Sequence, residues 1–530
     1  MIKKTLKFLL SIIDLIRVNK FENKFINHNN LLFDAPNNKS NVILVEMIRS
    51  QANHIALSYL LGILAKIHNA KIVGYNVRLS IGIFKKIKLK ITNYKKKKIF
   101  ESYGMTEILD FNINEDTKNL ANQLTKKLIL QIKSKSDLDS LTIENIWVGD
   151  LIYDQYLKSN MLPTLNLNSK EFRKLIFEFS FLFLYWRKKL LKKNIKALVI
   201  SHACYFIGLP ARIATELEIP VYQASLENIY YLTKNKLHPS SEFHTYKKDF
   251  EKLDDETKHN AIKKARERLQ LIYKGNVDVD QPYIKHSAYH KNKSQVKLLD
   301  NKSSIKILIA PHCFFDSPHG LGKTLFPDFY EWLDFIAKLT SITDYEWYIK
   351  THPNTFPQNK AVIKDFVSRY PKIKYLNDEI SHNQLIEEGI NIVLTVYGSI
   401  GLEYAAKNIT VVNASINNPH ISFDFNIHPK SKEDLRKIIL SLKEHVNASL
   451  SSDDVYKCYY MKYLHYKHDI FIADYKSVID FMGGYYDSLF TPKIYDFWIK
   501  YWSRDIHSHI NNSLKEFVLS GEYKMKSNWN

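Results

Sequence analysis

Residues 349–354 read Ile-Lys-Thr-His-Pro-Asn, directly after the apolar and aromatic run Tyr345–Ile349. A strand that ends on a cation, a hydroxyl and an imidazole presents donors for an anion. Pro353 then fixes the exit, because the residue before a proline is pushed towards extended conformations. Lys350 and His352 can both donate to phosphate oxygens. A plain polar strand end followed by a proline turn has the same appearance, so the stretch gains meaning only from its neighbours.

Two further stretches carry chemistry. In residues 395–406, TVYGSIGLEYAA, Gly398 permits a tight turn and Ser399 opens a helix. The free N–H groups over Ile400 and Gly401, at the positive end of the helix dipole, suit a phosphate. Glu403, one turn in, is a candidate acceptor for ribose hydroxyls. Simple N-capping by Ser399 is the competing reading. In residues 310–328, APHCFFDSPHGLGKTLFPD, the phosphate-loop spacing GxxxxGK[ST] is missing. Asp316, His319 and Lys323 are its candidates for facing a ligand cleft. Asp316 with His312 and His319 is a weak metal pattern that lacks a second carboxylate cluster, and no metal is expected.

These stretches need elements to position them. "IKILIAP" (305–311), "YEWYIKT", "KIKYLND", "INIVLTVY" and "ITVVNAS" read as strands, alternating with helices, and predict a complete doubly wound α/β domain. Ligands of such domains bind at the carboxyl ends of the strands, which puts all three stretches along one crevice. A second strand–helix–strand pattern occupies the first half, at "VILVE" (42–46) through "AKIVGYNV" and again at 195–225. Glu46 and His202 lie at strand ends there, and His54 on the following helix. These are the candidate bases for deprotonating a hydroxyl.

The chain has 530 residues, long enough for two or three domains. The predicted division is 1–40, a basic amphipathic segment; 41–231, a Rossmann-like acceptor domain with a helical insertion; 232–303, a charged helix and linker; 304–450, a Rossmann-like donor domain; and 451–530, an aromatic helical tail packing back on the domains. Three cysteines without CxxC spacing argue against a disulfide framework and a zinc site. The net charge of +21 attracts anions, whether nucleic acid, anionic lipid or phosphorylated small molecules. The lysine burst at 84–100 reads first as a solvated face and second as a membrane-surface patch. The apolar run at the N-terminus is short and broken by Asp14, which excludes a signal peptide and a spanning helix but leaves an interfacial amphipathic helix. Residues 177–193 read as a buried helix first and an interfacial one second.

"IKTHPN" followed by "LTVYGSIGLEYAAKNITVVNAS" resembles the C-terminal half of GT-B glycosyltransferases, and most nearly bacterial capsule and surface-polysaccharide synthesis proteins, including those that use CMP-activated acidic sugars. "PHGLGKTLFPDFYEWL" and "SHACYFIGLPARIATELEIPVY" are similar to capsule-synthesis segments, so the resemblance covers about 40–420. It implies two Rossmann-like domains and transfer of a sugar from a CMP- or UDP-linked donor to a glycan or lipid-linked acceptor. It implies no metal and no other cofactor, and a cytoplasmic protein at the inner face of the cell membrane. By the resemblance, His352 and Ser399 contact the donor phosphate and Glu403 the ribose or base. Asn408 stands where the family has a glycine, and asparagine tolerates the left-handed conformation required there. The alternatives are a CDP-linked polyol-phosphate transferase on a related fold, a nucleotide-sugar-binding scaffold without activity, and a basic nucleic-acid-binding protein that stacks bases on its 33 Tyr and 29 Phe. No nucleic-acid-binding motif supports the last.

Overall fold

A computed structural model describes residues 17–33, 40–77, 93–109, 115–192, 194–277, 280–281, 284–290, 294–446, 452–465 and 469–527. Its strands fall into two main sheets and a small hairpin. The first sheet holds β1 (Asn41–Glu46), β2 (Ala70–Tyr75), β3 (Met105–Leu109), β6 (Ile195–Ile200), β7 (Val221–Ala224) and β8 (Ile229–Leu232) in the order 3-2-1-6-7-8. All pair in parallel except β8, which returns antiparallel on β7. The hairpin is β4 (Thr142–Ile143) with β5 (Ile146–Trp147). The second sheet holds β9 (Lys306–Ile309), β10 (Glu346–Lys350), β11 (Ile373–Leu376), β12 (Ile392–Thr395) and β13 (Thr410–Asn413), all parallel, in the order 11-10-9-12-13.

Alternation along these strands explains why both sheet faces are dry. Ile43 and Val45 enter one core and Val42 and Leu44 another, as the two-residue period of a strand requires. Ile307 and Ile309 enter a third core, and Leu308 a fourth. Strands buried on both faces need helices on both, which is the condition for a parallel sheet. The helix Lys170–Leu190 covers one face of the first sheet and is buried along Phe172, Ile176, Phe179 and Phe183, as its sequence suggested. Among the described residues no helix is long and apolar enough to cross a membrane.

The structure departs from three expectations. Residues 232–303 hold the expected charged helix, but that helix is packed in the fold and is not a solvated surface element. Their helix Asp255–Tyr273 buries Ala261, Ala265, Leu269 and Tyr273, a stripe at four-residue spacing, in the core of the second domain. The N-terminal region is an internal element over Lys20–Leu32: Phe25 is fully buried and stacks on Tyr495 at 4.2 Å, and the helix is opened by an Asn19–Glu22 capping box. The rest of the expected membrane-surface segment, 1–16 and 34–39, lies outside the described residues. In the lysine burst 84–100, residues 84–92 also lie outside them. Lys95 is paired with buried Glu22 at 2.9 Å, and Lys96 donates to the Met47 carbonyl at 3.1 Å, so these two are structural and not solvated.

The tail divides between the halves. Residues 455–461 pack in the second domain, whereas 470–525 return to the first. There Tyr231 N–H donates to the Tyr523 carbonyl and Met525 N–H to the Ile229 carbonyl, which covers the free edge of β8. Two Rossmann-like doubly wound domains with a helical C-terminal tail constitute the GT-B architecture.

Candidate active site

Each sheet changes winding direction once: between β1 and β6 in the first, and between β9 and β12 in the second. Such switch points open crevices at the carboxyl ends of the strands. Glu46 ends β1 and Ser201-His202 follows β6. Ala310-Pro311-His312 follows β9 and Gly398-Ser399 follows β12. The topology therefore assembles two polar groups, one per domain.

The group in the second domain lines a cleft of about 380 Å³, the size range of a small-molecule site. Lys350, His352, Ser399, Ile400 and Glu403 all line it, with Thr351, His312 and His382. Lys350 is 3 % exposed; its Nζ reaches His382 Nε2 at 3.3 Å and the Thr351 carbonyl at 3.5 Å. Burial lowers this ammonium to about 8, opposed only by the distant charge of Asp378. Asp378 is itself taken by Lys360 at 2.6 Å. Thr351 Oγ1 is buried with no hydrogen-bond partner among the described residues. A buried cation and a hydroxyl without a protein partner thus lie side by side on the cleft wall.

The histidine tautomers follow from obligate donors. Asn354 N–H donates to His352 Nδ1 at 3.1 Å, so the neutral ring carries its proton on Nε2. Desolvation by the surrounding atoms, then the charges of Lys350 and His286, lowers His352 to about 4, so the ring is neutral near pH 7. Tyr397 N–H donates to His312 Nε2 at 3.2 Å, so its proton sits on Nδ1, and burial lowers the ring to about 4. Lys350 donates to His382 Nε2, leaving Nδ1–H for the Tyr404 hydroxyl at 2.6 Å. The function of Asn354 is also resolved: it exchanges hydrogen bonds with the backbone of His286 at 3.0 and 3.1 Å, clipping the supposed linker to the strand end.

Glu403 accepts from the Tyr289 hydroxyl at 2.9 Å, and burial raises its carboxyl above the usual range. Ser399 opens the helix Ile400–Ala405 without a side-chain cap bond. Gly401 does not line the cleft. It is buried, and a Cβ there would meet His420 atoms at 2.6 and 2.7 Å. Asn408 has φ +59°, the left-handed residue expected in place of glycine.

The loop after β9 scatters its candidates. His319 is buried and not in the cleft: Nδ1 meets Asp154 at 2.6 Å and Nε2 meets Asp139 at 2.9 Å, both from the first domain. Burial would lower this ring, but the two carboxylates outweigh it and hold it well above its ordinary value. Asp316 bonds the Tyr205 hydroxyl and lies 3.5 Å from Lys158, both also of the first domain. Tyr205 holds φ +56°, costly for a bulky residue. Lys323 lines a different cavity. Among the described residues no cluster of three or more His, Cys, Asp and Glu is placed to hold a metal ion.

In the first domain Glu46, 7 % exposed, accepts on one oxygen from both the N–H and the Oγ of Ser201, each at 2.7 Å. Burial is the largest influence on Glu46 and raises it. Since Ser201 Oγ donates to Glu46, it accepts from His202 Nδ1 at 3.0 Å. Nε2 is then the acceptor nitrogen of this exposed ring, and no partner for it is present among the described residues. Crowding by neighbouring atoms lowers His202 below its ordinary value, with Asp316 opposing across the domain boundary. His54 is a core residue, 1 % exposed and bonded to Tyr495 at 2.6 Å, and is no base.

Sequence reasoning missed His382 and Tyr289. His382 could have been found, because "SHNQ" follows β11 at one more strand end. Tyr289 carried no signal, since its segment read as linker.

No protein-family model matches the chain, and no curated protein matches it. Solved structures similar to it include a UDP-GlcNAc 2-epimerase from Methanocaldococcus jannaschii in complex with UDP-GlcNAc and UDP (12 % identity, 78 % of this chain and 97 % of that one, TM-score 0.23). Others are a glycosyltransferase from Rickettsia africae (13 %, 92 % and 100 %, TM-score 0.23) and the Anabaena protein HepE in complex with UDP and glucose (9 %, 80 % and 93 %, TM-score 0.23). At these identities and superpositions they add nothing to the architecture read from the strand order.

Proposed function

We propose that this protein is a metal-independent glycosyltransferase that moves a sugar from a nucleotide-sugar donor to a growing surface polysaccharide. The observation that carries the reading is the cleft at the β9/β12 switch point, where, among the described residues, buried Lys350 has no carboxylate partner and Thr351 Oγ1 no hydrogen-bond partner. A donor phosphate satisfies both. His352 Nε2–H and His312 Nδ1–H are additional donors, and Glu403 accepts a ribose hydroxyl. Phe356, 59 % exposed at the rim, offers a face to the base.

In the transfer step the acceptor hydroxyl loses its proton to His202 Nε2 and its oxygen attacks the anomeric carbon. The bond from that carbon to the donor phosphate oxygen breaks. Charge builds on the leaving phosphate, where Lys350 and His352 stabilise it more strongly than in the ground state. Glu46, holding Ser201, orients His202. The acceptor is a glycan or lipid-linked chain reached at the inner face of the membrane, in keeping with the resemblance and the basic charge of the chain.

The test is a thermal-shift panel of CMP, CDP, UDP, GDP and ADP on wild type and His352→Ala. A ligand that binds only the native state raises the melting temperature by mass action. Stabilisation by one nucleotide, weakened in the variant, is the expected result, with CMP indicating an acidic sugar and UDP a common hexose. No shift with any nucleotide overturns the reading.

A further inference from the structure

The glycine-bearing loop His319–Thr324 is the one motif that the donor cleft does not absorb. It ends at a second cavity of about 540 Å³, larger than the donor cleft and sharing no lining residue with it. Three parts of the chain meet there: Trp147 from the hairpin, residues 234–245 after β8, and the returning tail at 522–526, with Gly322, Lys323 and Asn417 of the second domain closing it.

The charge of this cavity is unbalanced. Five lysines line it against two glutamates. Both glutamates are already engaged: Glu242 with Lys524 at 2.6 Å and Glu522 with Lys526 at 3.7 Å. Lys234, Lys236 and Lys323 have no carboxylate within ion-pairing distance among the described residues, and all three are exposed. Two of them rest over aromatic rings instead. Lys323 Nζ lies 5.4 Å from the Trp147 ring centre and Lys236 Nζ 4.7 Å from that of Tyr523.

The wall beneath is rigid. Arg212, 2 % exposed, also lies against Trp147 and is fixed by Asp150 at 2.5 Å, while Trp147 Nε1 donates to the Asp139 carbonyl at 2.6 Å. Lys323 is anchored at its backbone, where Asn417 Nδ2 donates to its carbonyl at 2.8 Å. Gly322 at φ +109° brings the loop close to Asn417 and His238, where a side chain would be both strained and crowded. Ser241, Thr245 and Asn235 add hydroxyl and amide groups to the lining.

Fixed aromatic faces, movable unpaired cations and neutral hydrogen-bonding groups match one ligand chemistry. Sugar rings offer C–H faces to aromatic rings and hydroxyls to amides, and carboxylate or phosphate substituents answer the lysines. We propose that this cavity is a second binding site, for an anionic saccharide, at the junction of the two domains. It is independent of the donor reading because the two clefts share no residue. A single-stranded nucleic acid would need an extended basic groove, whereas these cations gather around one pocket.

The experiment is calorimetric titration of the full chain with tetragalacturonate, α2,8-linked tetrasialic acid, neutral maltotetraose and a thymidine octanucleotide. Wild type and the double variant K236E/K323E are compared, with the thermal shift by the donor nucleotide as control. Both substituted side chains are exposed and have no part in the donor cleft. The expected result is binding of at least one acidic tetrasaccharide, weakened tenfold or more in the variant, absent for maltotetraose and unaccompanied by a change in the nucleotide shift. Binding of neither acidic tetrasaccharide, equal binding of maltotetraose, unchanged affinity in K236E/K323E, or tighter binding of the octanucleotide would each overturn the proposal. A variant that loses the native melting transition is replaced by K236Q/K323Q, which is read in the same way.

Discussion

Lys350 Nζ donates to His382 Nε2 at 3.3 Å, and this neutral imidazole stands where a buried lysine ordinarily has a carboxylate. The arrangement keeps the cation in place without neutralising it. His382 is fixed in turn by Tyr404, and burial with the Lys350 charge holds it well below its ordinary value, so it stays an acceptor. Among the described residues no carboxylate neutralises Lys350, and burial opposes its charged form.

Lys350 should give nucleotide binding a recognisable pH profile. Its free-state value of about 8 means that the cation is lost as pH rises through that point. Affinity measured from pH 6 to 10 should hold below about 8 and then weaken, and Lys350→Met should remove the dependence and weaken binding roughly 10–100-fold, the worth of a charged hydrogen bond. The stability effect has the opposite sign. A lysine lowered by folding destabilises the protein while charged, so Lys350 makes the folded state less stable below about 8, and this cost disappears as pH rises towards the unfolded value of about 10.4.

His202→Ala should leave nucleotide stabilisation unaltered and reduce transfer about 10²–10⁴-fold, the usual contribution of a positioned base. Glu46→Gln should reduce transfer less, because it acts only by orienting Ser201. Comparing the donor thermal shift with turnover separates the two roles; a loss of nucleotide binding in His202→Ala would remove it from the role of base.

The His319 contact should couple domain packing to pH. Its ring is raised by Asp154 and Asp139, so its contribution is complete below the unfolded histidine value of about 6.5. That contribution is lost as pH rises through the higher folded value. Thermal melting of His319→Asn should show a lower midpoint than wild type at pH 6, reflecting a stability loss of roughly 3–5 kcal/mol for a broken buried pair. The gap should narrow at alkaline pH.

Gly401→Ala should destabilise without touching the ligand. A Cβ at 2.6 Å from His420 forces that fully buried ring to move, at a cost of about 1–3 kcal/mol. Chemical denaturation should register the loss, while nucleotide affinity, measured by titration well below the melting midpoint, stays the same.

Much of this protein was legible because its signals are local. Alternation between short apolar strands and amphipathic helices determines two doubly wound domains, and the topological rule then places "KTHPN" and "YGSIG" at one crevice; in the structure they line one cleft. The left-handed residue at Asn408 was likewise readable, since it depends on one backbone turn. What the sequence could not determine is which groups neutralise one another. His319 and Lys323 lie four residues apart in one loop, yet one is sealed between two carboxylates 165 and 180 positions away and the other lies open over Trp147. The same holds for the helix Asp255–Tyr273, whose charged surface hid a buried stripe of alanines and leucine. Burial and charge pairing are properties of three-dimensional neighbours brought together by the packing of both sheets. Only the tertiary structure decided which lysines pair with glutamates and which lie over aromatic rings instead.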